Sequence, residues 1–276
     1  MNEGGFSEEL LQGLAELDHS SILAFVFHPR RDPFPPPDDP RVQEHLFPVE
    51  GEATIGSRFY PAGKDEPVIL FFHGNGEIAS DYDELAPLYL DRGIGLLVFD
   101  YRGYGKSTGS PTLTAMMRDS VVLFEAAVQW LMAQGYRGHL WVMGRSLGSA
   151  PALQVARREK RRLKGLIIES GFADTLGLLR RIGAPISSKA YVRFWSRFNL
   201  VAIQEVTLPT LILHGTEDWI IPASEGEALY AASPAPRKEL VLIPRGGHND
   251  LMWVGTDRYF GAIERFVKGA VDVGEG

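Results

Sequence analysis

The chain has 276 residues, of which 45% are hydrophobic and 23% charged, the composition of a globular protein large enough to bury a core without staples. It contains no Cys, which excludes disulfides, thiolate nucleophiles and Cys-based metal sites. A formal charge of −7 argues against a nucleic-acid partner, and no apolar run approaches the ~20 residues of a membrane helix. The start, Met1-Asn2-Glu3, is acidic and not followed by a secretory apolar segment, so the expected location is cytoplasmic.

In chain order, residues 7–28 predict an amphipathic helix running into the apolar stretch Ile22–Phe27. Pro29, Pro33, Pro35, Pro36, Pro37 and Pro40 then make an arm that is neither helix nor central strand. Residues 1–44 are therefore expected to be an extension outside the repeating core. Residues 45–60 predict two short strands turning at Gly51. Beyond them, short apolar runs alternate with helix-length segments. Strands are expected at 68–72, 95–100, 140–143, 166–168, 211–213 and 239–243, with helices at 80–92, 112–134, 147–158, 223–232 and 256–270. The basic run Arg157–Arg162 reads as a solvated helix end. Continuous Val/Ile/Leu runs between helices predict an α/β class, with a mostly parallel sheet of about eight strands covered on both faces. Such sheets carry chemistry at the C-terminal ends of their strands.

One of those ends reads Gly144-Arg145-Ser146-Leu147-Gly148 and is followed by a helix. A nucleophile on so sharp a turn needs glycines on either side, and the helix start aims N–H groups at developing negative charge. Ser146 is the candidate nucleophile. In this arrangement the acid and then the His follow the Ser along the chain. Only His214 and His248 do so, and His248, in Gly246-Gly247-His248, sits past the last strand and is the candidate base. His214 ends a strand and is expected to pack near the acid turn. Asp218 is the expected acid, with Asp174 and Glu217 as rivals. The expected oxyanion hole is the backbone N–H of Leu147 with that of Asn75, in the loop His73-Gly74-Asn75-Gly76. His73 reads as a residue that orders this loop.

Four segments then resemble the α/β-hydrolase superfamily: His73–Gly76, Asp100–Ser107, Gly144–Gly148, and His214–Asp218 with Gly247–Asp250. The elbow and the Asp100-Tyr101-Arg102-Gly103-Tyr104-Gly105 segment are similar to its small-lidded branch, with esterase, depalmitoylase and serine-aminopeptidase-like members. The resemblance covers about residues 45–270 and implies an α/β-hydrolase domain at 45–272, in which Asp100 is structural. The absence of Cys counts against a membrane-anchored, palmitoylated depalmitoylase. Between the strands at 166–168 and 211–213, residues 172–208 exceed one crossover and are expected to form a small helical lid. Phe194 and Trp195 from this lid, with Trp219 and Trp253, are expected in an apolar pocket, and the lid arginines could hold a carboxylate. The function expected is a serine hydrolase cleaving small-molecule acyl esters through an acyl-enzyme, with no metal or organic cofactor. An acyl-thioesterase or peptidase is the alternative, and a non-catalytic binding protein on this fold a more distant one.

Overall fold

A computed structural model describes residues 15, 17–33, 35, 38–39, 41–185 and 198–269. Strands β1 (Gln43–Pro48) and β2 (Thr54–Tyr60) form an antiparallel hairpin. Its turn uses positive φ at Gly51 (+71°) and Glu52 (+61°). Strands β3 (Val68–Phe72), β4 (Gly95–Phe99), β5 (Leu140–Arg145), β6 (Leu163–Glu169), β7 (Thr210–Gly215) and β8 (Lys238–Ile243) complete a sheet of eight in the order β1-β2-β4-β3-β5-β6-β7-β8. β2 runs antiparallel to β4, and the pairs from β4 through β8 are parallel. This is the α/β-hydrolase fold.

The central strands are buried along their whole length because helices cover both faces. Side-chain alternation divides the core accordingly. Leu70, Phe72, Val142, Ile168 and Ile212 pack towards α3 (Leu113–Ala133) and α4 (Ser149–Arg158). Ile69, Phe71, Trp141, Met143, Ile167 and Leu213 pack on the other side, towards α9 (Thr256–Lys268). The segment 80–92 is not one helix. A 3₁₀ turn at Ala79–Tyr82 precedes the five-residue α2, Ala86–Leu90. Pro87 stands in the first turn of α2, where its missing N–H costs nothing, but it could not have continued a helix from residue 80.

The N-terminal arm packs on the domain. Its helix α1 (Ser20–Val26) buries Ile22 and Val26 in the same apolar cluster as α3, and Leu17 and Phe27 join them. Further on, Arg31 forms a parallel bridge with Gly105. The lid contributes α5 (Thr175–Arg181) and α6 (Phe198–Gln204). The remaining helices are α7 (Ala223–Ala232) and the short α8 (Leu251–Val254). No helix among the described residues is long and apolar enough to cross a membrane.

Candidate active site

β5 ends in Arg145, and Ser146 follows with φ +51°, a left-handed conformation that costs a non-glycine residue roughly 1–3 kcal/mol. The flanking glycines are steric requirements. A Cβ on Gly144 would stand 2.1 Å from the Gly148 carbonyl oxygen, and one on Gly148 would stand 2.0 Å from that of Phe72. The chain then turns through Ser146–Gly148 into α4. Ser149 Oγ donates to the Ser146 carbonyl at 2.7 Å. Asn199 Nδ2 reaches Ser149 Oγ at 3.1 Å and the Phe172 carbonyl at 2.8 Å, which ties the lid to the elbow.

The loop after β8 carries His248 over the sheet. His248 Nε2 lies 2.9 Å from Ser146 Oγ, and Nδ1 lies 2.7 Å from Asp218 Oδ2. An ionised Asp218 only accepts, so Nδ1 carries the proton and Nε2 is left to accept from the Ser146 hydroxyl. Asp218 Oδ1 accepts the N–H groups of Ile220 (3.0 Å) and Ile221 (2.8 Å). Burial alone would raise the Asp218 carboxyl, but its bonds to His248 and Ile221 outweigh it and hold it below its ordinary value. Both rivals, Glu217 and Asp174, are exposed, whereas Asp218 is buried against His248. His214 is buried beside the acid turn, with Nε2 donating to the Ile221 carbonyl at 2.8 Å.

Asn75 and Leu147 both face the cavity into which Ser146 and His248 open. Leu147 lies in the first turn after the elbow, where helical amides have no partner within the helix. The Asn75 N–H donates to no other described residue. Its loop is ordered by Gly74 N–H donating to Glu77 Oε2 (2.8 Å) and by Tyr101 donating to the His73 carbonyl (2.6 Å). His73 is buried behind the loop against Tyr101, and Asp100 accepts the Ala79 N–H at 2.8 Å, so both are structural.

Arg145, the variable residue inside the elbow motif, is a centre that sequence reasoning missed. Its guanidinium donates to Glu77, to Glu169 at the end of β6 (3.2 Å), and to the His248 carbonyl and Asn249 Oδ1 (2.8 Å each). Burial raises Glu169 above its ordinary value. Burial alone would raise Glu77, but Arg145, His73, the Gly74 N–H and the Tyr82 hydroxyl together outweigh it and hold it below its ordinary value. The signal available in the sequence was a charged residue closing each of two apolar runs, Arg145 after Leu140–Met143 and Glu169 after Leu166–Ile168.

The cavity is about 320 Å³ and is lined chiefly by apolar side chains, among them Leu113, Met116, Met117, Phe172, Leu178, Leu179, Ile182 and Phe198. That is the size and character of a small-molecule site. Two expected pocket residues do not line it. Trp219 is 89% exposed, because the turn that brings the Ile220 and Ile221 amides to Asp218 points the intervening side chain outward. Trp253 is 60% exposed on α8, whose buried side is taken by Leu251 and Met252. Phe194 and Trp195 lie outside the described residues. Of the lid arginines, Arg181 pairs with Glu225 at 3.3 Å. Phe25, Val26 and His28, from the arm, line the cavity unexpectedly.

Comparison with known proteins agrees with this architecture. The hydrolase family described as serine aminopeptidase, S33, matches residues 63–195 and 199–252. The uncharacterised protein YfhR of Escherichia coli is 30% identical over 71% of this chain and 68% of its own length. Human alpha/beta hydrolase domain-containing protein 17B is 32% identical over 72% of this chain and 65% of its own. An uncharacterised Mycobacterium tuberculosis protein is 28% identical over 91% of this chain and 88% of its own. Among solved structures, the Pyrococcus furiosus esterase Pf2001 superposes with a TM-score of 0.70 at 18% identity, covering 88% of this chain and 98% of that one. Likeness at that identity speaks for the fold alone.

Proposed function

Because the chain belongs to the serine aminopeptidase S33 family of α/β-hydrolases, we propose that it is a serine hydrolase cleaving carboxylic esters with Ser146, His248 and Asp218 as its catalytic triad. The observation that carries this reading is the continuous hydrogen-bonded chain from Asp218 through His248 to Ser146 Oγ, at 2.7 and 2.9 Å, opening into an apolar cavity.

In this mechanism His248 Nε2 takes the hydroxyl proton as Ser146 Oγ attacks the substrate carbonyl, and the Asn75 and Leu147 amides receive the oxyanion. The tetrahedral intermediate collapses, His248 protonates the departing alcohol, and the acyl group stays on Ser146. Water then enters and gives a proton to His248 as its oxygen adds to the acyl carbon. The second tetrahedral intermediate breaks its bond to Ser146 Oγ, which takes that proton back from His248 as the acid leaves. Asp218 holds the tautomer and stabilises the imidazolium without taking its proton.

The cavity lining favours an acyl chain over an amino-terminal peptide. A free α-ammonium group calls for a carboxylate partner, and no Asp or Glu among the described residues lines the cavity. Thioesters present the same acyl chain to the same groups and are the second reading. The test is labelling of the purified protein by a fluorophosphonate, which Ser146→Ala must abolish. A panel of p-nitrophenyl esters, acyl-thioesters and aminoacyl amides, graded by chain length, then ranks the substrates. Preference for the aminoacyl amides would overturn the ester reading while leaving the nucleophile intact.

A further inference from the structure

The family match begins at residue 63, yet Phe25, Val26 and His28, well before it, stand in the cavity wall with Ser146, Leu147 and Asn75. The arm that carries them is anchored at both ends. Upstream, Asp18 Oδ1 accepts the Leu113 N–H at the start of α3 at 2.7 Å. Downstream, Arg30 Nε donates to the Gly76 carbonyl at 2.9 Å, and the Gly105 N–H donates to the Arg30 carbonyl at 2.8 Å. Asn75 lies between these anchors, and both ends of its side-chain amide are engaged. Its Oδ1 accepts the His28 backbone N–H at 2.9 Å and the Tyr104 hydroxyl at 2.8 Å, while its Nδ2 lies 2.7 Å from His28 Nδ1. An amide NH₂ only donates, so His28 Nδ1 is the acceptor and the ring proton sits on Nε2.

We propose that the N-terminal arm is part of the active site, with His28 a positioning residue that locks Asn75 and so holds its backbone N–H aimed at the developing oxyanion. This rests on the reading of Asn75 as an oxyanion donor. The physical argument is preorganisation. A donor contributes to the transition state only if it is already in place, and a lost oxyanion donor costs ~10²–10³ in turnover. A glycine-flanked loop has little stiffness of its own: Gly76, at φ +76°, directly follows Asn75. Three hydrogen bonds from outside the loop to one side chain supply that stiffness, and two of them come from a single arm residue. His28 touches no reacting atom in this scheme; it acts through Asn75.

The test uses the full-length protein and two readouts: the second-order rate of Ser146 labelling by an alkyl fluorophosphonate, and kcat and KM on p-nitrophenyl butyrate. His28→Ala should slow labelling and lower kcat by about ten-fold or more while KM stays within about two-fold, because the donor acts on the transition state and His28 is one side chain of a wall made chiefly by others. His28→Asn should recover most of the loss, since Asn Oδ1 occupies the place of Nδ1 on Cγ and also accepts. Wild-type rates in His28→Ala overturn the latch, as does an equal loss in His28→Ala and His28→Asn, which marks simple packing. Should His28→Ala fail to fold, Asn75→Ala keeps the backbone N–H but removes all three side-chain bonds, and labelling at the wild-type rate there overturns the proposal equally. A wild-type protein that takes no label at Ser146 brings down the parent reading, a result distinct from labelling that His28→Ala leaves unchanged.

Discussion

The Arg145 guanidinium is buried and faces two carboxylates, Glu77 and Glu169, together with the His248 carbonyl and the Asn249 side chain. Those partners belong to the loop after β3, the end of β6 and the loop that carries His248, so one side chain fixes three pieces of the site relative to β5. Removing it leaves Glu169 buried and Glu77 half-buried without their cation, a loss of about 3–5 kcal/mol. Arg145→Met should therefore lower the urea midpoint steeply, and Arg145→Lys should recover little, because a point charge cannot reproduce the planar fork. Adding Glu77→Gln and Glu169→Gln to Arg145→Met should return part of the stability. A triple variant no more stable than the single one would contradict the charge argument. At Asp218 the expected effect is chemical. Asp218→Asn can present its NH₂ to His248 Nδ1 and so select the wrong tautomer, with kcat expected to fall by ~10⁴ on the precedent of the serine-protease triad. Near-normal kcat in that variant would remove Asp218 from the triad.

Among the elements, the turn from β5 into α4 has the least freedom. The Gly148 Cα packs against the Phe72 carbonyl of β3, and a methyl group there would sit at 2.0 Å from that oxygen. Gly148→Ala must push the elbow away from β3, the strand that leads into the Gly74–Gly76 loop. The expected result is a stability loss of about 1–3 kcal/mol from overpacking, with a disproportionate fall in fluorophosphonate labelling. Labelling at the wild-type rate would mean that the spacing of these two strands is not critical. The requirement was readable in advance, because Gly144 and Gly148 flank a serine between a strand and a helix and few other structures need that pattern. Chain order narrowed the base to His214 or His248 and left Asp174 and Glu217 beside Asp218 as the acid; position past a strand end singled out His248 and Asp218. The limits of the sequence reading have specific physical causes. Trp219 was placed by its neighbour in sequence, but a turn whose amides bind Asp218 sends alternate side chains to opposite sides. The role of Arg145 depends on partners 68, 24 and 103 residues away, which no local pattern encodes. The arm has neither helical nor strand periodicity over its prolines, so nothing in it signals that His28 reaches Asn75.

At the scale of the whole molecule, the buried titratable groups set how the fold responds to acid. His214 is fully buried behind the acid turn, and burial lowers it from 6.5 by more than its bond to Ile221 and its proximity to Asp218 raise it. The fold keeps this ring neutral, whereas the unfolded chain protonates it. Stability therefore begins to fall as pH drops below about 6.5. Asp218 and Glu77 act in a lower window. Both are held below their ordinary values of 3.8 and 4.5, so the stability they contribute is fully present above those values and is lost as pH falls through their folded ones. Glu169 works in the opposite sense, since burial raises it and its penalty is relieved on acidification. The melting temperature should thus be highest near neutrality and fall in two stages, the first setting in below about pH 6.5 and the second below about pH 4.5. His214→Gln keeps a neutral, polar side chain and removes the more deeply buried of the two histidines that burial lowers, the other being His45, so its curve should be shallower where the wild type declines, even if it starts lower. Parallel wild-type and His214→Gln curves across that first window would show that another group carries the acid response. Asp218→Asn should leave the first stage in place and shallow the second. The two variants together separate a histidine that shapes the fold from an aspartate that shapes the site.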